Sequence, residues 1–134
     1  AKEYEKYKKG YSSYNRSLVY FQIIDKLSNN IIGGCGFHNW FPEHSRAELG
    51  YGLTIEKNKQ KGIMTEAIKP VIEYGFTQMN LKRIEPCVRP DNIPSLKLLE
   101  KYNFPPEGYL RKHYYKDGVL YDSIIFSLLK EEHI

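Results

Sequence analysis

From Ile63 onward the apolar residues Met64, Ala67, Ile68, Val71, Ile72, Phe76 and Met79 recur at spacings of mostly three and four. Such spacing predicts an α-helix with one apolar face over about four turns. Pro70 falls well inside this pattern. It removes a backbone hydrogen bond at a cost of about 3 kcal/mol if uncompensated, so a bend is expected there. The segments before this helix carry a different pattern. "SLVYFQIID" and "NNIIGGCGFHNW" are rich in β-forming residues and are separated by the turn-rich "KLSNN", which predicts an antiparallel hairpin. "AELGYGLTI" reads as a third strand. Glycine weakens a strand from within, so its glycines mark a bulge or a place where something approaches the main chain closely.

After the helix, "KRIEPCVRP" reads as a buried strand, in which Pro86 suggests an irregular or partly unpaired edge. "DNIPSLKLLEKYNF" predicts a short second helix, with Asn92 as N-cap, Pro94 in the first turn and Asn103 as a left-handed terminator. "EGYLRKHYY", a turn at "KDG", and "LYDSIIFSLL" form a closing hairpin. Residues 1–14 place Tyr4, Tyr7 and Tyr11 on one helical face. The expected order is helix, three strands, helix, strand, helix, two strands.

A chain of 134 residues holds one core of ordinary size, and a single domain over 1–134 is expected. With 41% hydrophobic and 27% charged residues the composition is that of a globular protein. No apolar run approaches the roughly 20 residues that span a bilayer, and "AKEYEKYKKGYSSYNR" has no secretory pattern; a cytoplasmic protein without membrane partners is expected. Cys35 and Cys87 lie far apart, in apolar surroundings and without metal-ligand spacing, and are read as buried thiols, with no metal expected. The net charge of +4 is modest and its basic residues are scattered, so nucleic acid is not indicated, whereas a small anionic ligand is compatible. Most of the 12 tyrosines fall at strand-like alternate positions, where half-buried Tyr packs.

The stretch "NKQKGIMTEA", residues 58–67, leads through one glycine into the long helix. A helix start carries unpaired N–H groups and partial positive charge, so with Lys59 and Lys61 beside it this junction reads either as an anion seat or as a solvated turn.

The succession "AELGYGL", "KGIMTEA", "RIEPCVRPDNIPSLKLLEKYNF" and "EGYLRKHYYKDGVLYDSIIFSLL" resembles the GNAT superfamily of acetyl-CoA-dependent N-acetyltransferases, and within it the branch of ribosomal-protein N-terminal acetyltransferases. The resemblance runs from about Ser17 to Leu129. It implies an α+β fold whose central mixed, mostly antiparallel twisted sheet is flanked by helices and splayed between the third and fourth strands present. It implies too that the family's usual first strand and first helix do not precede Ser17, that wall being absent or supplied by another subunit. A homodimer is compatible with this.

The resemblance also implies a site. Backbone N–H groups of the loop and helix start, over Lys59, Gln60, Lys61, Gly62, Ile63, Met64 and Thr65, would cradle the coenzyme A pyrophosphate. Gln60 and Met64 stand where the family has glycine or a small residue, and the loop is one residue longer than usual. Leu53, Thr54 and Ile55 would line the acyl end, with a backbone N–H near Leu53 or Thr54 meeting the oxyanion. Asn92 and Ser95 would face the thioester, Ser95 assisting the thiolate, while Leu99 occupies the place of the Tyr used by other branches. Read from position alone, Asn92 and Ser95 are equally a helix cap.

Glu48 matches the family's acidic strand residue and is the candidate base, acting through a water; a surface carboxylate paired with Arg46 or a Lys is the alternative. His38 and Trp40 would line the acceptor side with Glu48 and Tyr114, the last where related enzymes carry a second carboxylate. Direct attack by a primary amine, a protein N-terminus or a small amine, needs no covalent intermediate, so neither cysteine is required as nucleophile. The altered loop, Tyr114 and the short front also fit a coenzyme A-binding sensor or interaction module with little turnover. A fold resemblance without coenzyme binding is the third reading.

Overall fold

A computed structural model describes residues 17–54 and 62–133. The expected helix over 1–14, together with Ile55, Lys59, Gln60 and Lys61, lies outside the described residues. Three strands, β1 (Ser17–Ile24), β2 (Ile31–Phe41) and β3 (Arg46–Leu53), precede helix α1 (Ile63–Thr77). Strand β4 (Arg83–Val88), helix α2 (Ile93–Lys101), β5 (Pro106–Lys116), β6 (Val119–Phe126) and the two-residue β7 (Leu128–Leu129) follow. The sheet runs β1-β2-β3-β4-β6-β5, with β7 also on β4. Every pairing is antiparallel except β3 with β4. The mixed sheet with flanking helices is the architecture expected.

The helical period of α1 buries Ile68, Val71, Ile72, Gly75 and Phe76 against the sheet. Gly75 is the contact point: a Cβ there would lie 2.6 Å from the Phe37 ring of β2, so its absence lets helix and strand close up. The helix is one continuous segment through Pro70, an exposed residue, which leaves the carbonyl left without a donor on the solvent side. Asn92 caps α2, its side chain accepting from the Ser95 backbone N–H at 3.3 Å. Asn103 follows the helix in the left-handed conformation (φ 63), as read from sequence. Asp117-Gly118 makes the tight loop of the last hairpin with both φ positive, at 50 and 82, so β5 extends through Lys116 into what sequence read as turn.

Two expectations about the sheet are corrected. Pro86 does not lie on an edge: β4 is central, and Pro86 is fully buried. It sits where partners change. Its register partner Leu49 is the last pair of the β3/β4 ladder. On the other side β7 pairs with Arg83 and Ile84, and β6 with Cys87 and Val88. A residue without an N–H is tolerated there because the ladders stop on both sides of it. "LYDSIIFSLL" is likewise not one strand. It breaks at the buried Ser127, whose N–H donates to the Pro105 carbonyl at 3.1 Å, and the chain then moves to the other half of β4.

The Ser127 hydroxyl donates to Glu107 at 2.7 Å, and Arg83 grips the same carboxylate through two nitrogens at 2.6 and 3.1 Å. Those bonds, Arg83 first, pull the Glu107 carboxyl from 4.5 down to about 2. A carboxylate depressed in the folded state contributes stability above its unfolded pKa and loses it as pH falls through the folded one. Glu107→Gln is therefore expected to flatten the loss of stability between about pH 4.5 and 2, read from urea midpoints at several pH values. At neutral pH the same change costs about 1 kcal/mol, because the ion pair is screened while the buried Ser127 hydroxyl loses its carboxylate acceptor.

Candidate active site

Beyond the Leu49–Pro86 pair the parallel ladder ends, and β3 continues to Leu53 away from β4. A cleft opens at this splay. One chamber of about 630 Å³ is lined from β3 by Tyr51, Gly52 and Leu53, from the start of α1 by residues 62–65, and from α2 by Asn92 and Ser95. The other, about 640 Å³, is lined by His38 and Glu48 on one side and by Cys87, Arg89, His113 and Tyr114 on the other. The two share Tyr51, Asn92, Ser95 and Lys116.

The main chain of β3 faces the first chamber in a defined way. The Thr54 N–H donates to the Ile32 carbonyl at 2.9 Å. The alternation of an antiparallel ladder therefore turns the Leu53 and Tyr51 N–H groups away from β2, toward the splay. Of the two oxyanion donors read from sequence, Leu53 is so placed and Thr54 is not. No bulge is involved. The β2/β3 register is continuous from Leu49 to Leu53, and its irregularity lies between His38 and Phe41. The glycines serve other ends: a Cβ on Gly52 would meet nothing within 4 Å, opening the cleft floor, whereas one on Gly50 would lie 3.1 Å from the His38 ring.

At the start of α1, Gly62 is the N-cap in the left-handed conformation (φ 76) with no side-chain cap. Among the described residues no side chain caps the N–H groups of the first turn, which stand at the chamber wall in the manner of an anion seat. Met64, which lies in the expected loop and helix start, lines this wall too. Thr65 turns its carbonyl to the Tyr102 hydroxyl.

Ser95 lies at the junction of the chambers, and its backbone N–H, not its hydroxyl, makes the helix cap. Next to it is a residue not singled out from sequence, Tyr51. Its hydroxyl oxygen is buried and finds no hydrogen-bond partner of good geometry among the described residues. Burial raises the Tyr51 pKa, the neighbouring Ser95 hydroxyl offsetting part of the rise. Leu99, at the place of the alternative Tyr, is fully buried in the core.

In the second chamber Glu48 is bound by two side chains. His38 Nε2 lies 3.2 Å from Oε1, and Asn39 Nδ2 donates to Oε2 at 3.0 Å. The His38 hydrogen bond foremost, helped by Asn39, holds the carboxyl below its usual range although burial opposes this. Arg46 is not its partner, pairing instead with Glu85 at 3.2 Å. Tyr114 stacks on Tyr121 with ring centroids 5.4 Å apart, and Arg89 lies over the other ring at 4.5 Å. Trp40, expected on the acceptor side, packs against the core and is not among the residues lining the chamber. His113, its Nδ1 2.9 Å from the Ser123 hydroxyl, faces the chamber and was missed. Nothing in "RKHYY" distinguishes it, because a bulge between Leu110 and Tyr114 sets its direction.

Cys35 is buried and Cys87 half-buried, which corrects the reading of both as buried. Desolvation pushes their thiols up to about 12 and about 11, so neither is poised as a thiolate nucleophile. Among the described residues no helix is long and apolar enough to cross a membrane, and no three His, Cys, Asp or Glu gather as a metal-binding group.

Residues 1–105 match the family profile described as the acetyltransferase (GNAT) domain. The chain is 46% identical over 113 residues to the uncharacterized N-acetyltransferase p20 of Bacillus licheniformis, covering 84% of this chain and 63% of that protein. It is 33% identical over 103 residues to the putative ribosomal N-acetyltransferase YdaF of Bacillus subtilis, covering 77% and 56% respectively. The crystal structure of the ribosomal-protein-S5-alanine acetyltransferase from Vibrio fischeri superimposes with a TM-score of 0.79 at 32% identity, over 87% of this chain and 64% of that one. The chain thus spans somewhat under two thirds of these relatives. On profile and similarity together the chain belongs to the GNAT acetyltransferase family.

Proposed function

We propose that this protein moves the acetyl group of acetyl-CoA onto a primary amine by direct attack, both substrates being bound together. The observation that carries the reading is the pair of chambers meeting at Tyr51, Asn92, Ser95 and Lys116. One has the chemistry for a phosphorylated thioester: N–H groups at the first turn of α1 that no described side chain caps, an open floor at Gly52, and the Leu53 N–H turned toward the splay. The other has a carboxylate and an imidazole in contact for an amine that must lose a proton. Leu53 supplies the oxyanion donor and Ser95 a proton to the departing thiolate. The likeness to the S5-alanine acetyltransferase favours a peptide N-terminus as the acceptor.

The test is a thermal unfolding scan with saturating acetyl-CoA, followed by release of free thiol with peptides bearing Ser or Ala N-termini, free amino acids and spermidine. An upward shift in Tm is expected, since a ligand bound to the native state stabilises by mass action, together with thiol release for at least one amine. A shift without thiol release supports the sensor instead. No shift overturns coenzyme binding. Gly62→Val is expected to remove most of the shift, because a β-branched residue is strained at φ 76 and would disturb the first turn of α1.

A further inference from the structure

The carboxylate of Glu48 is held from both sides by consecutive residues of one strand. In a regular strand, residues 38 and 39 would point to opposite faces. Here the β2/β3 register breaks between His38 and Phe41, and Asn39 takes a left-handed conformation, φ 47. The bulge re-aims the chain so that His38 reaches Oε1 and Asn39 reaches Oε2. An ionised carboxylate accepts only, so a neutral His38 in contact with it carries its proton on Nε2 and its lone pair on Nδ1. Nδ1 lies over Gly50, where a Cβ would come within 3.3 Å of it, and Gly50 lines the acceptor chamber. The glycine leaves room for the imidazole of the neighbouring strand. With both its oxygens engaged, the carboxylate is a weak base, whereas among the described residues no group hydrogen-bonds the second ring nitrogen of the imidazole at the chamber.

Resting on the acetyl-transfer reading above, we propose that His38 is the general base, its Nδ1 taking the proton from the acceptor ammonium, and that Glu48 and Asn39 are positioning residues which hold its tautomer and ring. One proton passes from the ammonium to Nδ1. The freed amine then forms the C–N bond, and the carbonyl oxygen takes up the electron pair beside the Leu53 N–H. Collapse breaks the C–S bond, and the second proton that the nitrogen loses as the amide forms passes by way of the Ser95 hydroxyl to the departing thiolate, which leaves as the free thiol. The imidazolium returns its proton to solvent, so one proton is released per turnover. The division of labour is that of a histidine base oriented by a carboxylate.

Among the described residues the other titratable groups facing this chamber are Tyr51, whose pKa burial raises, Cys87, Arg89, His113, Tyr114 and Lys116. Arg89 is tied to Asp91 through two nitrogens at 2.8 and 3.0 Å, and the Cys87 thiol is pushed up to about 11. His113, the other imidazole lining the chamber, is the control.

The experiment measures kcat/KM against pH, by thiol release with the amine that the wild type turns over best. His38→Ala is expected to lose 10²- to 10⁴-fold, to lose the acid limb of the profile, and to regain part of its rate with added imidazole. His113→Gln keeps the limb. Glu48→Gln loses 10²-fold or more, because an amide does not hold the required tautomer. Gly50→Ala, which crowds the ring, lowers kcat with less effect on acetyl-CoA protection. His38→Ala within about threefold of wild type while Glu48→Gln is inactive would overturn the assignment and make the carboxylate the base. Loss in His38→Ala without imidazole rescue, with its Tm lowered, would reduce His38 to a structural role. Wild type without turnover of any amine overturns the proposal together with the reading beneath it.

Discussion

Replacing Ser95 with alanine is expected to lower kcat about 100-fold while leaving acetyl-CoA protection and Tm nearly unchanged. The separation is possible because of how α2 begins. From sequence, an Asn followed three positions later by a Ser at a helix start reads equally as a cap or a catalytic pair. In the structure the cap bond runs from the Ser95 backbone N–H to the Asn92 side chain, and alanine preserves it. The hydroxyl is left for the cleft, at the junction of the chambers and beside the buried Tyr51 hydroxyl. The measurement is a kcat and KM determination alongside thermal unfolding. Equal losses in rate and stability would return Ser95 to the capping role, and unchanged kcat would mean that the thiolate departs unaided. Asn92→Ala, by contrast, is expected to cost about 1 kcal/mol of stability through the cap.

Phe37→Ala is expected to destabilise the fold by about 4 kcal/mol, read from urea unfolding. Phe37 is completely buried, with its ring against the Cα of Gly75 on α1 and near Leu81. The cavity left would be bounded by β2 and by a helix that is itself held over the sheet by Ile68, Ile72 and Phe76, so little collapse can relieve it. The contact also makes a specific coupling prediction. Gly75→Ala in the wild type puts a methyl 2.6 Å from the ring and should destabilise by about 1–3 kcal/mol despite the better helix propensity of alanine. In a Phe37→Leu background the same change should cost markedly less. Additive effects in the double mutant would mean that helix and strand do not meet through this pair.

The long helix, the hairpins and the order of elements are legible in sequence because they are set by local period and local turn chemistry. Ile68, Val71, Ile72 and Phe76 follow the helical period, and all four are buried; Asn92, Asn103 and Asp117-Gly118 act within their own few residues. Where the reading failed, a partner distant in sequence decided. Pro86 looked like an edge residue because proline cannot donate to a ladder, yet the sheet changes partner at that residue. The end of β6 looked continuous because nothing in "IIFSLL" says that Ser127 will bond to Pro105 and Glu107 instead of to its neighbours.

The same division holds for the site. Sequence by itself determined the components: a glycine before a helix start, a strand with an acidic residue and spaced glycines, and a capped helix with a serine in its first turn. Those depend on residue type and short spacing, which survive in one dimension. Only the tertiary structure decided which groups meet. The parting of β3 from β4 makes the cleft, and the ladder alternation selects the Leu53 N–H over that of Thr54. A bulge no pattern announced brings His38 and Asn39 onto Glu48, and Arg46 turns to Glu85 instead. The physical reason is that side-chain direction in a sheet changes with each residue of register. Register is set by pairing between strands, so one bulge or one strand exchange redirects a side chain without altering a letter of the motif that contains it.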